Sequence, residues 1–218
     1  MTQVLGIDIS VNETQANLAD PKSAHVPYDW VLARSHGIHV VTLRQMCAGA
    51  EDLQYRSNLA DWTKLKPAVR LVTYQWLDLV RGTLLPQAKS WIAKMASPAG
   101  PHMLDLENWS THTGWPGMIS ELGPCLDALD QFVGRSTWIY TNPSFTATNF
   151  LPSDVARLAG HPLVIAHWSQ GAPLVLPPFT PLDVAGWQFT NQAFAAWYGV
   201  RNNTRQAALY KFDSTYFP

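Results

Sequence analysis

The chain has 218 residues, 47% of them hydrophobic and 14% charged, with a formal net charge of −1. This length suits one domain with a full core. The composition excludes a chain disordered throughout, and a near-neutral charge without any Lys/Arg run argues against a nucleic-acid partner.

Two cysteines, Cys47 and Cys125, make no disulfide framework and read as free thiols. The opening "MTQVLGIDIS" reads as a first strand. It lacks the basic and apolar regions of a signal peptide, so synthesis in the cytoplasm is expected. No apolar run nears the ~18 residues of a membrane span, so no membrane insertion is expected. Ten Trp, 7 Tyr and 8 Phe exceed what a core of this size needs. They are either core and rim packing or the walls of a cleft for flat, weakly polar ligands such as sugar faces.

Eight short runs rich in β-branched residues predict strands at 4–10, 38–44, 69–76, 102–107, 137–142, 162–168, 184–189 and 209–213. Between the first and second, "VPYDWVLARSHG" has helical spacing and a Gly37 stop. "LQYRSNLADWTKLK" and "LLPQAKSWIAKMAS" predict the next two helices. "GMISELGPCLDALDQFVG" predicts a fourth, kinked or broken at Pro124, and "PSDVARLAG" a short fifth. After the sixth run "SQGAPLVLPPFTPL" reads as loop, and "TNQAFAAWYGVRNNTRQ" is ambiguous. Five strand–helix units followed by three strands predict a single-domain α/β protein, an irregular TIM-like (β/α)5β3 barrel with parallel strands. An open doubly wound sheet is the alternative.

In such a barrel the site lies at the C-terminal ends of the strands. Asp8, Tyr74, Trp76, Asp105, Glu107, Tyr140, Asn142, His167, Trp168, Trp187, Gln188 and Asp213 all fall at predicted strand ends. Asp105 and Glu107 sit at i and i+2, on one face, with Cα atoms about 6.6 Å apart for a rise of ~3.3 Å per residue. Their repulsion raises one pKa, which leaves one acid to donate a proton and the other to stabilise positive charge. That is the division of labour in glycosidic bond cleavage. Alternatively, one acid caps a helix near "NWSTHTG" and the other pairs with an Arg. A metal held with His167 is a further possibility, although no H-x-H or H-x-x-x-H spacing occurs. No G-x-S-x-G, G-x-G-x-x-G or phosphate loop is present.

"GIDIS" (6–10), "LDLEN" (104–108), "IYTNPSF" (139–145), "IAHW" (165–168), "GWQFT" (186–190) and "KFDS" (211–214) occur in the order seen in family 25 of the glycoside hydrolases. "VPYDWVLARSHGIHVVTLR" is also similar to that family's first helix and second strand. The sequence resembles these bacterial and phage lysozymes over nearly its whole length. The resemblance implies the (β/α)5β3 barrel and cleavage of the β-1,4 bond between N-acetylmuramic acid and N-acetylglucosamine, with retention. It further implies Glu107 as general acid, Asp105 as its partner carboxylate, and Asp8 and Asp213 as further acids of the site. Tyr74, Tyr140, Trp187 and Gln188 resemble sugar-contacting positions, and Trp76, His167 and Trp168 join them as candidate substrate contacts.

The implied partner is bacterial peptidoglycan. The expectation is a monomer without cofactor or metal, with residues 1–218 forming one catalytic domain without a wall-binding module. A phage endolysin released through a separate pore protein fits the missing signal peptide. Two departures stand out. "RQMCAGAED" places Gln45, Met46 and Cys47 after the second strand's Arg, where the family often has an acid, with Glu51 and Asp52 arriving later, and the third strand ends in "YQW". A non-catalytic glycan-binding barrel is the alternative function. A chitinase-like barrel is disfavoured because Met103 breaks the D-x-x-D-x-D-x-E pattern.

Overall fold

A computed structural model of the chain describes residues 3–10, 24–64, 69–95, 100–107, 114–168, 171–194, 198–199 and 206–217. The strands are β1 (Gln3–Ile9), β2 (Ile38–Cys47), β3 (Ala50–Glu51), β4 (Arg70–Trp76), β5 (His102–Asp105), β6 (Trp138–Thr141), β7 (Leu163–Ala166), β8 (Val184–Phe194) and β9 (Gln206–Asp213). Their order is β1-β9-β8-β7-β6-β5-β4-β2-β3, and a β1–β2 pairing closes the ring. The eight-stranded α/β barrel expected from the sequence is therefore present, with β3 as a short appendage outside the closed ring. From β1 round to β8 every pairing is parallel, whereas β9 runs antiparallel to both β8 and β1.

The helices α1 (Trp30–Ser35), α2 (Tyr55–Thr63), α3 (Leu84–Lys94), α4 (Ile119–Val133), α5 (Pro143–Asn149) and α6 (Val155–Leu158) lie between strands. Of the expected kink or break, the break does not occur: α4 runs through Pro124 without ending. It keeps Leu122, Cys125, Leu126 and Leu129 buried, and this apolar stripe carries the helix past the missing N–H. α5 was not expected. Asn142 caps it by accepting a hydrogen bond from the Phe145 N–H at 2.9 Å, and Pro143 starts it, but seven residues hold too little periodicity to be read as a helix. The ambiguous segment after residue 189 begins by prolonging β8 to Phe194, and most of its remainder lies outside the described residues. No described helix is long and apolar enough to cross a membrane.

Alternation along each strand sorts the side chains into two populations. Ile7, Ile9, Val41 and Leu43 face outward into a cluster with Trp30, Ala33 and Trp62 of α1 and α2. Leu104, Ile139 and Ile165 face outward into the cluster formed with α3 and α4. The inward residues form a third cluster of Val40, Val72, Met103, Trp138, Val164, Tyr210, Phe212 and Phe217, among others. The bottom of the barrel is thus plugged by aromatics. Phe217 packs edge-on against Trp138 and Phe212 with ring centroids 5.5 and 5.7 Å away. Toward the C-terminal ends of the parallel strands the same inward positions become polar, which opens a cleft there.

Candidate active site

The cleft has a volume of about 680 Å³ and includes Asp8, Arg44, Tyr74, Trp76, Asp105, Glu107, Tyr140, Trp168, Gln188 and Tyr210 in its walls. Asp8 and Asp105 are inward residues at the ends of β1 and β5. The extended backbone continues past β5: the Leu106 N–H donates to the Tyr140 carbonyl at 2.9 Å and the Leu77 N–H to the Asp105 carbonyl at 3.2 Å. This continuation keeps Asp105 and Glu107 on one face, as i and i+2 require. Trp76 and Tyr140 flank Asp105 as its partners on β4 and β6.

Asp8 accepts hydrogen bonds from Thr42 Oγ1 at 2.9 Å and from the Tyr74 hydroxyl at 3.1 Å. Burial nevertheless outweighs these bonds and the nearby Arg44 charge, and pushes the carboxyl up to about 6. Asp105 is displaced well above the usual carboxylate range, first by burial and then by the charges of Glu107 and Asp8. Its Oδ1 is buried and accepts no hydrogen bond from the described protein atoms. Glu107 is raised as well, by burial and by Asp8. The three acids therefore share too little solvent and too few donors to ionise independently. The sequence reading gave the proton to Glu107 and the charge to Asp105, yet in the free cleft the strongest upward pressure falls on the deeper Asp105.

The opposite wall is a chain of neutral donors and acceptors. Gln188 Oε1 accepts from the Tyr140 hydroxyl at 3.2 Å and from Trp168 Nε1 at 2.9 Å, while Gln188 Nε2 donates to the Tyr210 hydroxyl at 2.9 Å. Burial pushes the Tyr74, Tyr140 and Tyr210 hydroxyls well above their usual range, so they stay protonated. Arg44 supplies a cation to the cleft. Its Nε donates to Asp52 Oδ2 at 2.8 Å, with the Asp52 side chain fully buried. Asp52 arrives because β2 and β3 form a two-residue hairpin in which Cys47 pairs with Ala50. Ala48 and Gly49 both have positive φ, at 50° and 80°, as a type I′ turn demands. The acid missing directly after Arg44 in the sequence thus returns in space as Asp52, eight residues after that Arg.

Three expected site residues lie elsewhere. Asp213 pairs with Gln3 at the bottom of the barrel, about 16 Å along β1 from Asp8 for five residues at ~3.3 Å each. The expectation assumed that the last strand ends at the mouth, but β9 is antiparallel and ends at the opposite side. There Asp213 accepts from the Thr215 N–H at 3.0 Å and caps the turn Ser214–Tyr216. Trp187 neighbours Gln188 on β8 and so faces outward, away from the cleft. His167 is absent from the cleft wall. Its Nδ1 accepts from the Leu174 N–H at 3.0 Å and its carbonyl from Trp187 Nε1 at 2.6 Å, so it organises the loop after β7. The alternative cap near "NWSTHTG" falls mostly on 108–113, outside the described residues. Among the described residues no group of three or more His, Cys, Asp or Glu is placed to hold a metal.

The cleft wall also contains Ser10, Arg44, Cys47, Asn191 and Tyr210, which strand-end reading did not single out, and Thr42 supports Asp8 by a hydrogen bond. Two-residue spacing was the available signal for one of them: Asp8 implies Ser10. Tyr210 is the residue that an antiparallel last strand presents in place of Asp213.

The closed barrel of five strand–helix units and three further strands is a fold shared with solved lysozymes and a family 25 glycosyl hydrolase. Among solved structures the chain is similar to a lysozyme from Streptomyces coelicolor, at 17% identity and TM-score 0.77 over 98% of this chain and 93% of that one. It is similar to a family 25 glycosyl hydrolase from Bacillus anthracis at 13% identity and TM-score 0.73, covering 96% and 88% of the two chains. It also resembles the CTP1L endolysin, at 19% identity and TM-score 0.68, covering 99% of this chain and 68% of that one. No family model matches the sequence, and no curated protein matches it either.

Proposed function

We propose that the protein is a peptidoglycan hydrolase, a muramidase of the family 25 type, cutting the β-1,4 bond between N-acetylmuramic acid and N-acetylglucosamine. The observation that carries this reading is the convergence of Asp8, Asp105 and Glu107 in one aromatic-walled cleft. Glu107 is the more exposed of the β5 pair and donates its proton to the leaving glycosidic oxygen. Asp105 faces the sugar carbon on which positive charge develops. The burial that makes its anion costly alone makes that anion a strong partner for a cation in the same low dielectric. Asp8, Tyr74 and Arg44 support it by taking up proton and charge. Attack by Asp105 itself and attack by the substrate's own acetamido group both need this anion, and both retain configuration. Tyr140, Gln188, Trp168 and Trp76 hold the sugars. On this reading residues 1–218 act as one catalytic domain, monomeric and without cofactor. The protein reaches the bacterial wall as an endolysin does, released through a separate pore protein.

The test is digestion of purified walls, with turbidity and new reducing ends followed together. Glu107→Gln is expected to lose about 10²- to 10⁴-fold in rate, and mass spectrometry is expected to find muramic acid at the new reducing ends. Equal lysis by both proteins sinks the role of Glu107. Reducing ends on N-acetylglucosamine sink the bond assignment, and tight binding without any new ends favours a glycan-binding barrel.

A further inference from the structure

Beside the cleft lies a second hollow of about 610 Å³, lined by Trp168, Trp187, Phe189, Asn191, Gln192 and Lys211, with Thr190 completing its wall. It shares Trp168 and Asn191 with the catalytic cleft, so one ligand can occupy both. Its floor is aromatic. Trp187 and Phe189, both on the outer face of β8, meet edge to face with centroids 6.1 Å apart. The hydrogen bond from Trp187 Nε1 to the His167 carbonyl fixes the larger ring. Lys211, the cross-strand partner of Trp187 on β9, holds its Nζ 5.3 Å from the Trp187 centroid and 5.2 Å from that of Phe189. None of the ion pairs among the described residues involves Lys211.

A cation steadied over two rings, without a carboxylate partner among the described residues and facing a hollow, suits a ligand that carries a carboxylate next to apolar carbons. A bare glycan strand carries only the lactyl carboxylate, close to the sugar ring. Peptidoglycan adds further carboxylates on the acidic peptide borne by that lactyl group, next to aliphatic side-chain carbons. We infer that this hollow receives the carboxylate-bearing peptide stem of the muramic sugar seated in the neighbouring cleft, with Lys211 as the charge partner and Trp187 and Phe189 as the apolar floor. The inference rests on the muramidase reading of the cleft and adds that the enzyme reads the stem as well as the sugars.

The experiment compares soluble glycan strands that bear stems with the same strands stripped of them by an amidase, which leaves a carboxylate on each lactyl group, so that a preference for the first reads the stem beyond that group. For the wild type, KM is expected to be lower on stem-bearing strands. Lys211→Met, which keeps the aliphatic stem, is expected to raise that KM about fivefold at low salt, the scale of one partly exposed ion pair. It leaves kcat and the stripped strands unchanged, and Lys211→Arg restores the preference. An equal rise on both substrates, or no rise on stem-bearing strands, overturns the inference. Equilibrium binding of the two strand types is measured in parallel. If the wild type cleaves neither polymer, the activity reading fails and binding alone decides the hollow. A Lys211-dependent preference for stems upholds the hollow's role, and equal Kd values overturn it.

Discussion

Asp8 shows how the cleft sets function against stability. Its carboxyl is pushed from the ordinary 3.8 to about 6 because burial exceeds what Thr42, Arg44 and Tyr74 return. Below pH ~4 the group is protonated folded or unfolded, so the fold bears no penalty. Between pH ~4 and 6 the unfolded chain ionises this carboxyl while the folded state keeps its proton, so stability falls across that window, and above 6 the folded state holds the buried charge and the loss is complete. Two pKa units correspond to about 3 kcal/mol. Asp8→Asn is therefore expected to melt several degrees above the wild type at pH 8 and within a degree of it at pH 4, while wall lysis falls. A melting difference independent of pH would remove Asp8 from the group of raised acids. The D-x-E pair was legible because a strand places i and i+2 together, whatever surrounds them. Trp187 was misplaced by neglecting the same rule, since its neighbour Gln188 already occupied the inner face.

At the scale of elements, the β2–β3 hairpin is the feature the sequence concealed. "RQMCAGAED" looks like the loss of an acid after Arg44. Recovering Asp52 requires knowing that the chain reverses at Ala48 and Gly49, a turn without the Asn-Gly or Asp-Gly signature. Once back, Asp52 also accepts from the Gln54 N–H at 2.9 Å, so it braces the approach to α2 as well as Arg44. Removing one partner of a buried pair leaves the other charge stranded. Asp52→Ala is expected to lower stability by about 3 kcal/mol in urea unfolding and to weaken wall lysis as Arg44 loses its position. Its neighbour provides the contrast. Glu51 pairs with Arg56, whose side chain is 80% exposed, and Glu51→Ala is expected to cost under ~0.5 kcal/mol. Similar losses for both substitutions would show that Arg44 does not depend on the hairpin. The regular helices were easier to anticipate because α3 and α4 repeat an apolar stripe over several turns, whereas α5 rests on one cap and a proline.

For the whole molecule, the decisive event is closure by β9, which runs antiparallel to both its neighbours in the ring. Six parallel strands follow from local strand–helix alternation, but nothing local announces the directions of β8 and β9, and that of β9 sends Asp213 to the bottom and Tyr210 to the cleft. Its fit is set by Phe212, which lies in the barrel interior and is fully buried. A Cβ added at Gly186 of β8 would stand 2.6 Å from the Phe212 ring, and one added at Gly6 of β1 would stand 2.5 Å from its other side. Both glycines are plain in the sequence, yet the reason for them lies across the seam, far along the chain for Gly6. Gly186→Ala is expected to cost roughly 1–3 kcal/mol by overpacking, with loss of lysis as the mouth distorts. Phe212→Leu costs stability alone by leaving space, but in the Gly186→Ala background it relieves the clash. Urea unfolding of the four proteins should then give a double-substitution cost smaller than the sum of the two single costs. Additive costs would mean that Phe212 does not fix how the barrel shuts, and that another contact across the β8–β9–β1 seam holds the cleft in shape.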